Sequence, residues 1–123
     1  PDGKWVACIH QDQKTGSFKA ALIPFIGGEL TIVERMARPD FLLVQWSPDS
    51  RALTYIATRQ GVSNIWTKPI DGAPARQLTK FTTDRIFRFA WSRDGKFLAC
   101  ERGMVISDAV LISEGKPDKL PAP

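Results

Sequence analysis

One stretch constrains this chain more than any other. Trp46-Ser47-Pro48-Asp49-Ser50-Arg51-Ala52-Leu53 returns, altered, as Trp91-Ser92-Arg93-Asp94-Gly95-Lys96-Phe97-Leu98, and Pro1-Asp2-Gly3-Lys4-Trp5-Val6 is a third copy entered part-way through. The aspartates stand 47 residues apart (2 to 49) and then 45 (49 to 94), the near-constant interval of a repeated supersecondary unit. Each copy reads as strand, tight turn, strand. The approaches 41–46 and 87–91 are short, aromatic and rich in strand formers. Pro48 presets φ, Asp49 accepts hydrogen bonds from nearby backbone N–H groups, and Gly3 or Gly95 supplies a positive φ. Ser50 replaces the glycine in one copy and Arg93 the proline in another, while Asp2, Asp49 and Asp94 persist. The aspartate is therefore the expected anchor of the turn.

Turn residues and alternating apolar runs divide the rest of the chain. The first repeat predicts strands at 4–9, 17–24 and 30–35, with a polar connection at 10–16 and a turn at Gly27-Gly28. The second predicts four, at 41–46, 52–58, 64–70 and 76–79, with turns at Gln60-Gly61 and Asp71-Gly72. The third predicts 86–91, 96–101 and 108–113, with a turn at Arg102-Gly103. Residues 114–123 form a proline-rich polar tail. No segment combines helical periodicity with helix caps.

The hydrophobic-Trp-Ser-Pro-Asp-Gly-Lys-x-Leu pattern, followed by Gly61 to Trp66, Asp71-Gly72 and Leu78-Thr79, resembles the TolB-type, WD-repeat-like β-propeller over nearly the whole chain. The segment from Arg102 to Ile112 also resembles the last blade of propellers at the carboxyl end of bacterial serine/threonine kinases and winged-helix regulators. The resemblance implies an all-β fold: a partial β-propeller of about three four-stranded antiparallel blades, 1–35, 41–79 and 86–113, forming an open arc. Propellers use about 4 to 8 blades, so the arc is expected to continue upstream and to end at the 114–123 tail. Its open faces should be covered by the remaining blades or by self-association. For function the resemblance implies non-catalytic protein or peptide recognition, and in the kinase-like arrangement a sensory role beyond a membrane. The alternative it implies is part of the propeller that gates substrates for a prolyl-oligopeptidase-type serine hydrolase.

Composition narrows the chemistry. With 43% hydrophobic residues in 123 the chain can bury a core. Its longest apolar run, 20–26, is broken by Pro24 and falls short of the roughly 20 residues that span a bilayer. No direct membrane insertion is expected. The net charge of +4 comes from 17 basic residues mixed among 13 acidic ones, the pattern of a solvated surface rather than a nucleic-acid groove. Arg85 to Trp91 mixes arginine with aromatics, yet its position before a repeat turn makes it a structural strand. Cys8 and Cys100 hold the same repeat position, filled by Tyr55 in the middle copy. Two repeats of separation exceed the ~7 Å limit for a disulfide, so both are expected as free, largely buried thiols.

His10, the sole histidine, falls where a loop is expected, and no Gly-x-Ser-x-Gly nucleophile turn exists. The Cys and His count offers no zinc site, and Gly27-Gly28 followed by Glu29 reads as a strand connection rather than a phosphate cradle. No cofactor is expected. What remains is a rim of connections carrying Arg35, Arg38, Arg59, Lys80, Arg85 and Arg102 with fewer acids, Asp12, Asp40 and Asp84. Loops on a rigid scaffold carry recognition, so this rim is the expected meeting place for an acidic protein or peptide surface.

Overall fold

The computed structural model describes residues 2–36 and 44–110. Nine strands follow in order: β1 Trp5–Gln11, β2 Phe18–Pro24, β3 Thr31–Met36, β4 Val44–Trp46, β5 Ala52–Arg59, β6 Val62–Pro69, β7 Arg76–Gln77, β8 Arg85–Trp91 and β9 Leu98–Gly103. They form three sheets, β1-β2-β3, β4-β5-β6-β7 and β8-β9. Every pairing is antiparallel. Among the described residues there is no helix, and no helix is long and apolar enough to cross a membrane.

The sheets pack in sequence order, and β5 shows why. Successive side chains of a strand point to opposite faces, so Leu53 and Tyr55 look one way and Thr54 and Ile56 the other. Leu53 and Tyr55 meet Ala20 and Leu22 of the first sheet, with Ala7, Ile9, Val44 and Trp66 around them. Ile56 and its cross-strand partner Ile65 meet Ile86 and Phe89 of the third sheet, with Leu98 and Cys100 alongside. Both faces of the middle sheet are covered, so Leu53 to Ile56 are buried consecutively rather than alternately. The second interface also carries directed bonds: Trp91 Nε1 donates to Thr54 Oγ1 at 3.2 Å and Gln45 Nε2 to the Phe89 carbonyl at 3.0 Å. At the first interface Lys68 Nζ stands 3.8 Å from Glu34 Oε2.

Several expectations need correction. Among the described residues the middle sheet alone has four strands; the first has the three read for its repeat, and the third has two of the three expected. His10 lies within β1, paired with Lys19, because the ladder runs on to Gln11 and Phe18. The expected turn at Arg102-Gly103 is absent: Gly103 ends β9, paired with Arg85. Residues 108–110 of the strand expected at 108–113 are not in a strand; its remainder, residues 41–43 of β4's approach and the 114–123 tail lie outside the described residues.

Leu53 is completely buried between two sheets, where no collapse can fill the space its side chain occupies. Leu53→Ala is expected to cost about 2–5 kcal/mol, read as a lower urea midpoint with an unchanged slope.

Candidate functional site

Two features hold the residues singled out by the repeat: the turns and the rim. In the middle turn, Ser47 Oγ bonds Asp49 Oδ1 at 2.5 Å and accepts from the Ala52 N–H at 2.9 Å, while Asp49 Oδ1 accepts from the Arg51 N–H at 3.0 Å. The third turn repeats the arrangement: Ser92 Oγ to Asp94 Oδ1 at 2.6 Å, the Phe97 N–H to Ser92 Oγ at 2.9 Å, and the Lys96 N–H to Asp94 Oδ1 at 3.1 Å. In the first copy Asp2 Oδ1 accepts from the Lys4 N–H at 3.1 Å. The serine and the aspartate therefore bind the turn jointly. The sequence signal for the serine was present, since Ser precedes the aspartate by two residues in both complete copies.

These bonds favour the ionised carboxylate. The Ser47 hydroxyl first, then the Arg51 N–H, holds Asp49 below the ordinary value of 3.8. Ser92, then the Lys96 N–H, does the same for Asp94. The fourth turn position takes a positive φ in every copy, 74° at Gly3, 61° at Ser50 and 71° at Gly95. Ser50 thus performs the role of the missing glycine at a steric cost. Gly95 has a second constraint, because a Cβ there would lie 3.0 Å from Pro48 Cβ of the neighbouring turn. Between these turns lies a cleft of about 500 Å³ lined by Asp49, Arg76, Trp91, Arg93 and Asp94.

The rim residues divide. Around the Gln60-Gly61 hairpin the fold gathers Arg59, Asp84, Arg85 and Arg102, all at or beside strand ends. Arg102 is engaged within the chain: Nη2 donates to the Thr83 carbonyl at 2.9 Å, stands 3.6 Å from Asp84 Oδ2, and its guanidinium carbon lies 3.6 Å from the centre of the Phe81 ring. Arg59 lies over Trp66, 5.4 Å from the ring centre, beside a cleft of about 400 Å³ that includes Asn64 and Phe81. Arg35 is exposed in β3 and Lys80 in the connection after β7. Arg38 and Asp40 lie outside the described residues. Asp12 is held by the N–H groups of Lys14 and Thr15 and by Lys19 Nζ at 3.2 Å.

Cys8 and Cys100 are free and half-buried rather than largely buried. Tyr55 at the equivalent position is buried, and desolvation with the nearby Glu34 charge pushes its phenol up to about 12. Among the described residues no group of three His, Cys, Asp or Glu side chains could hold a metal ion.

No family model matches the chain. A stretch of 53 residues, 43% of this chain, is 34% identical to Tricorn protease homolog 1 of Streptomyces coelicolor, and it spans 5% of that protein.

The equivalent turn positions predict opposite responses. Ser50→Gly is expected to stabilise by up to about 1 kcal/mol, since relief of the left-handed strain exceeds the added freedom of the unfolded chain. Gly95→Ser is expected to destabilise by at least about 1–2 kcal/mol from the same strain, with the Pro48 contact added; equilibrium urea unfolding of both variants compares them.

The turn carboxylates also set the acid response. Their folded pKa values lie below the unfolded ones, so their contribution is complete above the ordinary value of 3.8 and is lost as pH falls through the depressed folded values. Asp49→Asn with Asp94→Asn is expected to flatten the decline of the unfolding free energy below that pH.

Proposed function

We propose that the chain is an arc of a TolB-type, WD-repeat-like β-propeller, with blades at 1–35, 41–79 and 86–113 and a tail at 114–123, serving a longer protein as a non-catalytic surface for protein or peptide recognition. One observation carries the reading. In repeat terms Val6 and Cys8 of β1 correspond to Leu53 and Tyr55 of β5 and to Leu98 and Cys100 of β9. Those of β5 pack on the first sheet and those of β9 on the second. The outer face of the first sheet is thus the kind of surface that the next two sheets bury. It presents Val6, Cys8 and Ile23 around the buried Ala21, with Val6 47% exposed. The outer face of the third sheet differs: Arg88 and Glu101 lie on it as an exposed pair 3.8 Å apart. The stack therefore has a direction, with an apolar face prepared for another sheet at one side.

A second reading has a specific observation in its favour. The stretch similar to Tricorn protease homolog 1 supports a place in the non-catalytic part of a larger peptidase, where propeller blades admit and orient peptide substrates for a separate catalytic domain. Both readings assign this chain recognition rather than bond cleavage. The exposed Arg59 rim would meet an acidic peptide or protein surface in either. A nucleophile-elbow segment in the longer polypeptide favours the peptidase setting; a kinase or winged-helix segment favours signalling.

The isolated chain is expected to self-associate through its apolar outer face, giving a sedimentation coefficient that rises with concentration. Val6→Lys with Ile23→Lys is expected to shift it toward the monomer while leaving the circular dichroism of the sheets intact. A chain that stays monomeric at every concentration would count against the arc. Arg59→Glu is expected to slow association with acidic peptides at low salt, read by stopped-flow mixing; rates equal to those of the parent chain would remove the rim from the proposal.

A further inference from the structure

The middle sheet reverses after β5 through a two-residue turn, with φ of 52° at Gln60 and 80° at Gly61, pairing Arg59 with Val62. By the 45-residue interval the corresponding turn in the third sheet falls on Val105-Ile106. Branched side chains resist positive φ. That hairpin is therefore barred, and β9 ends with residues 104–110 outside any strand, Met104, Val105, Ile106 and Val110 being 62–81% exposed.

Another closure is open to the same segment. The Ser92 N–H donates to the Phe97 carbonyl across the turn, so by antiparallel alternation Phe97, Ala99 and Glu101 direct their backbone groups to β8 while Leu98 and Cys100 direct theirs outward. A three-residue loop, Glu101-Arg102-Gly103, would join Cys100 to Met104 on that outward side. Such loops need a left-handed residue only at their third position, and this is where the glycine stands. Gly103 does not adopt a positive φ in the structure. The ladder to Arg88, Ile86 and Arg85 holds the extended form, Arg102 adds contacts to the Thr83 carbonyl, Asp84 and the Phe81 ring, and a cleft of about 370 Å³ bordered by Gly61, Asp84, Met104 and Val105 leaves space beside the corner.

We propose that Gly103 is the hinge and Arg102 the latch of a strap, residues 104–108, that folds back to cover the outer edge of β9 as a third strand. With Arg102 docked, no strand among the described residues pairs with that edge. With Arg102 released and Glu101 to Gly103 giving up their pairing with Arg88, Ile86 and Arg85, Met104 pairs with Cys100 and Ile106 with Leu98, and the edge is closed by the chain itself. The strap is independent of whether the stacked sheets belong to a propeller.

Residue-resolved amide exchange on the full chain tests this. Closure gives the Met104 and Ile106 amides hydrogen bonds to the carbonyls of Cys100 and Leu98, and leaves the Val105 amide without one. Ile106 is expected to exchange at least about tenfold more slowly than Val105 after correction for intrinsic rates. Arg102→Ala is expected to raise that protection several-fold, and Gly103→Val to abolish it. The valine suits the open form, where the backbone is extended and an added Cβ makes an ordinary 3.4 Å contact with Phe87. Trp91 emission reports that the third sheet remains docked in each variant. Unstructured exchange rates at 104–108 in both the parent chain and Arg102→Ala would overturn the strap. Protection that grows with protein concentration would overturn it in favour of a strand from a second copy, and protection that survives Gly103→Val would remove the hinge.

Discussion

The fold depends on a strand that is apolar on both sides. An ordinary edge or surface strand of an antiparallel sheet keeps one face for water, but β5 sends Leu53 and Tyr55 into one neighbour and Thr54 and Ile56 into the other. The middle sheet is thereby the shared wall of two cores. Each core is small, and the outer face of the third sheet, with its exposed Arg88–Glu101 pair, has no comparable apolar surface. Thr54 shows what this arrangement asks of a polar side chain. It is completely buried, and its hydroxyl accepts from the indole of Trp91 on the next sheet, so burial and directionality are met by one contact.

The serine–aspartate turns set the phase of the strands that follow. By bridging its own aspartate and the N–H five residues on, Ser47 or Ser92 fixes which residue leaves the turn paired, and alternation then dictates the direction of every later backbone group. The same phase that lets β5 reverse at Gln60-Gly61 puts Val105-Ile106 at the corresponding point after β9. Among the described residues two repeats with nearly the same turn thus differ in strand number: a few residues downstream one has a glycine in phase and the other has it out of phase.

Charge follows a similar logic. Counting basic residues along the chain treats each as available at the surface, but a guanidinium next to a carbonyl, a carboxylate and an aromatic face is consumed by the fold. Arg102 is such a group. Arg59 retains an exposed position over Trp66. The rim therefore exposes less positive charge than its composition indicates, and the turn carboxylates Asp49 and Asp94 are bonded by serine and backbone within their own turns.

Much of this was readable before any coordinates, for a definite reason. Strand alternation, turn residues and the aspartate interval are local properties, and local sterics and hydrogen bonds with five residues or fewer between partners decide them; hence the all-β class and the turns at Asp49, Gln60-Gly61 and Asp94 follow from the amino acids in order. What the order of residues left open was everything requiring two distant segments to meet. Pro48 against Gly95, Trp91 on Thr54, Arg102 on Phe81 and the two-sided burial of β5 depend on how separate sheets dock. Docking is set by the summed shape and apolar area of whole faces, a property that no single stretch of the chain possesses.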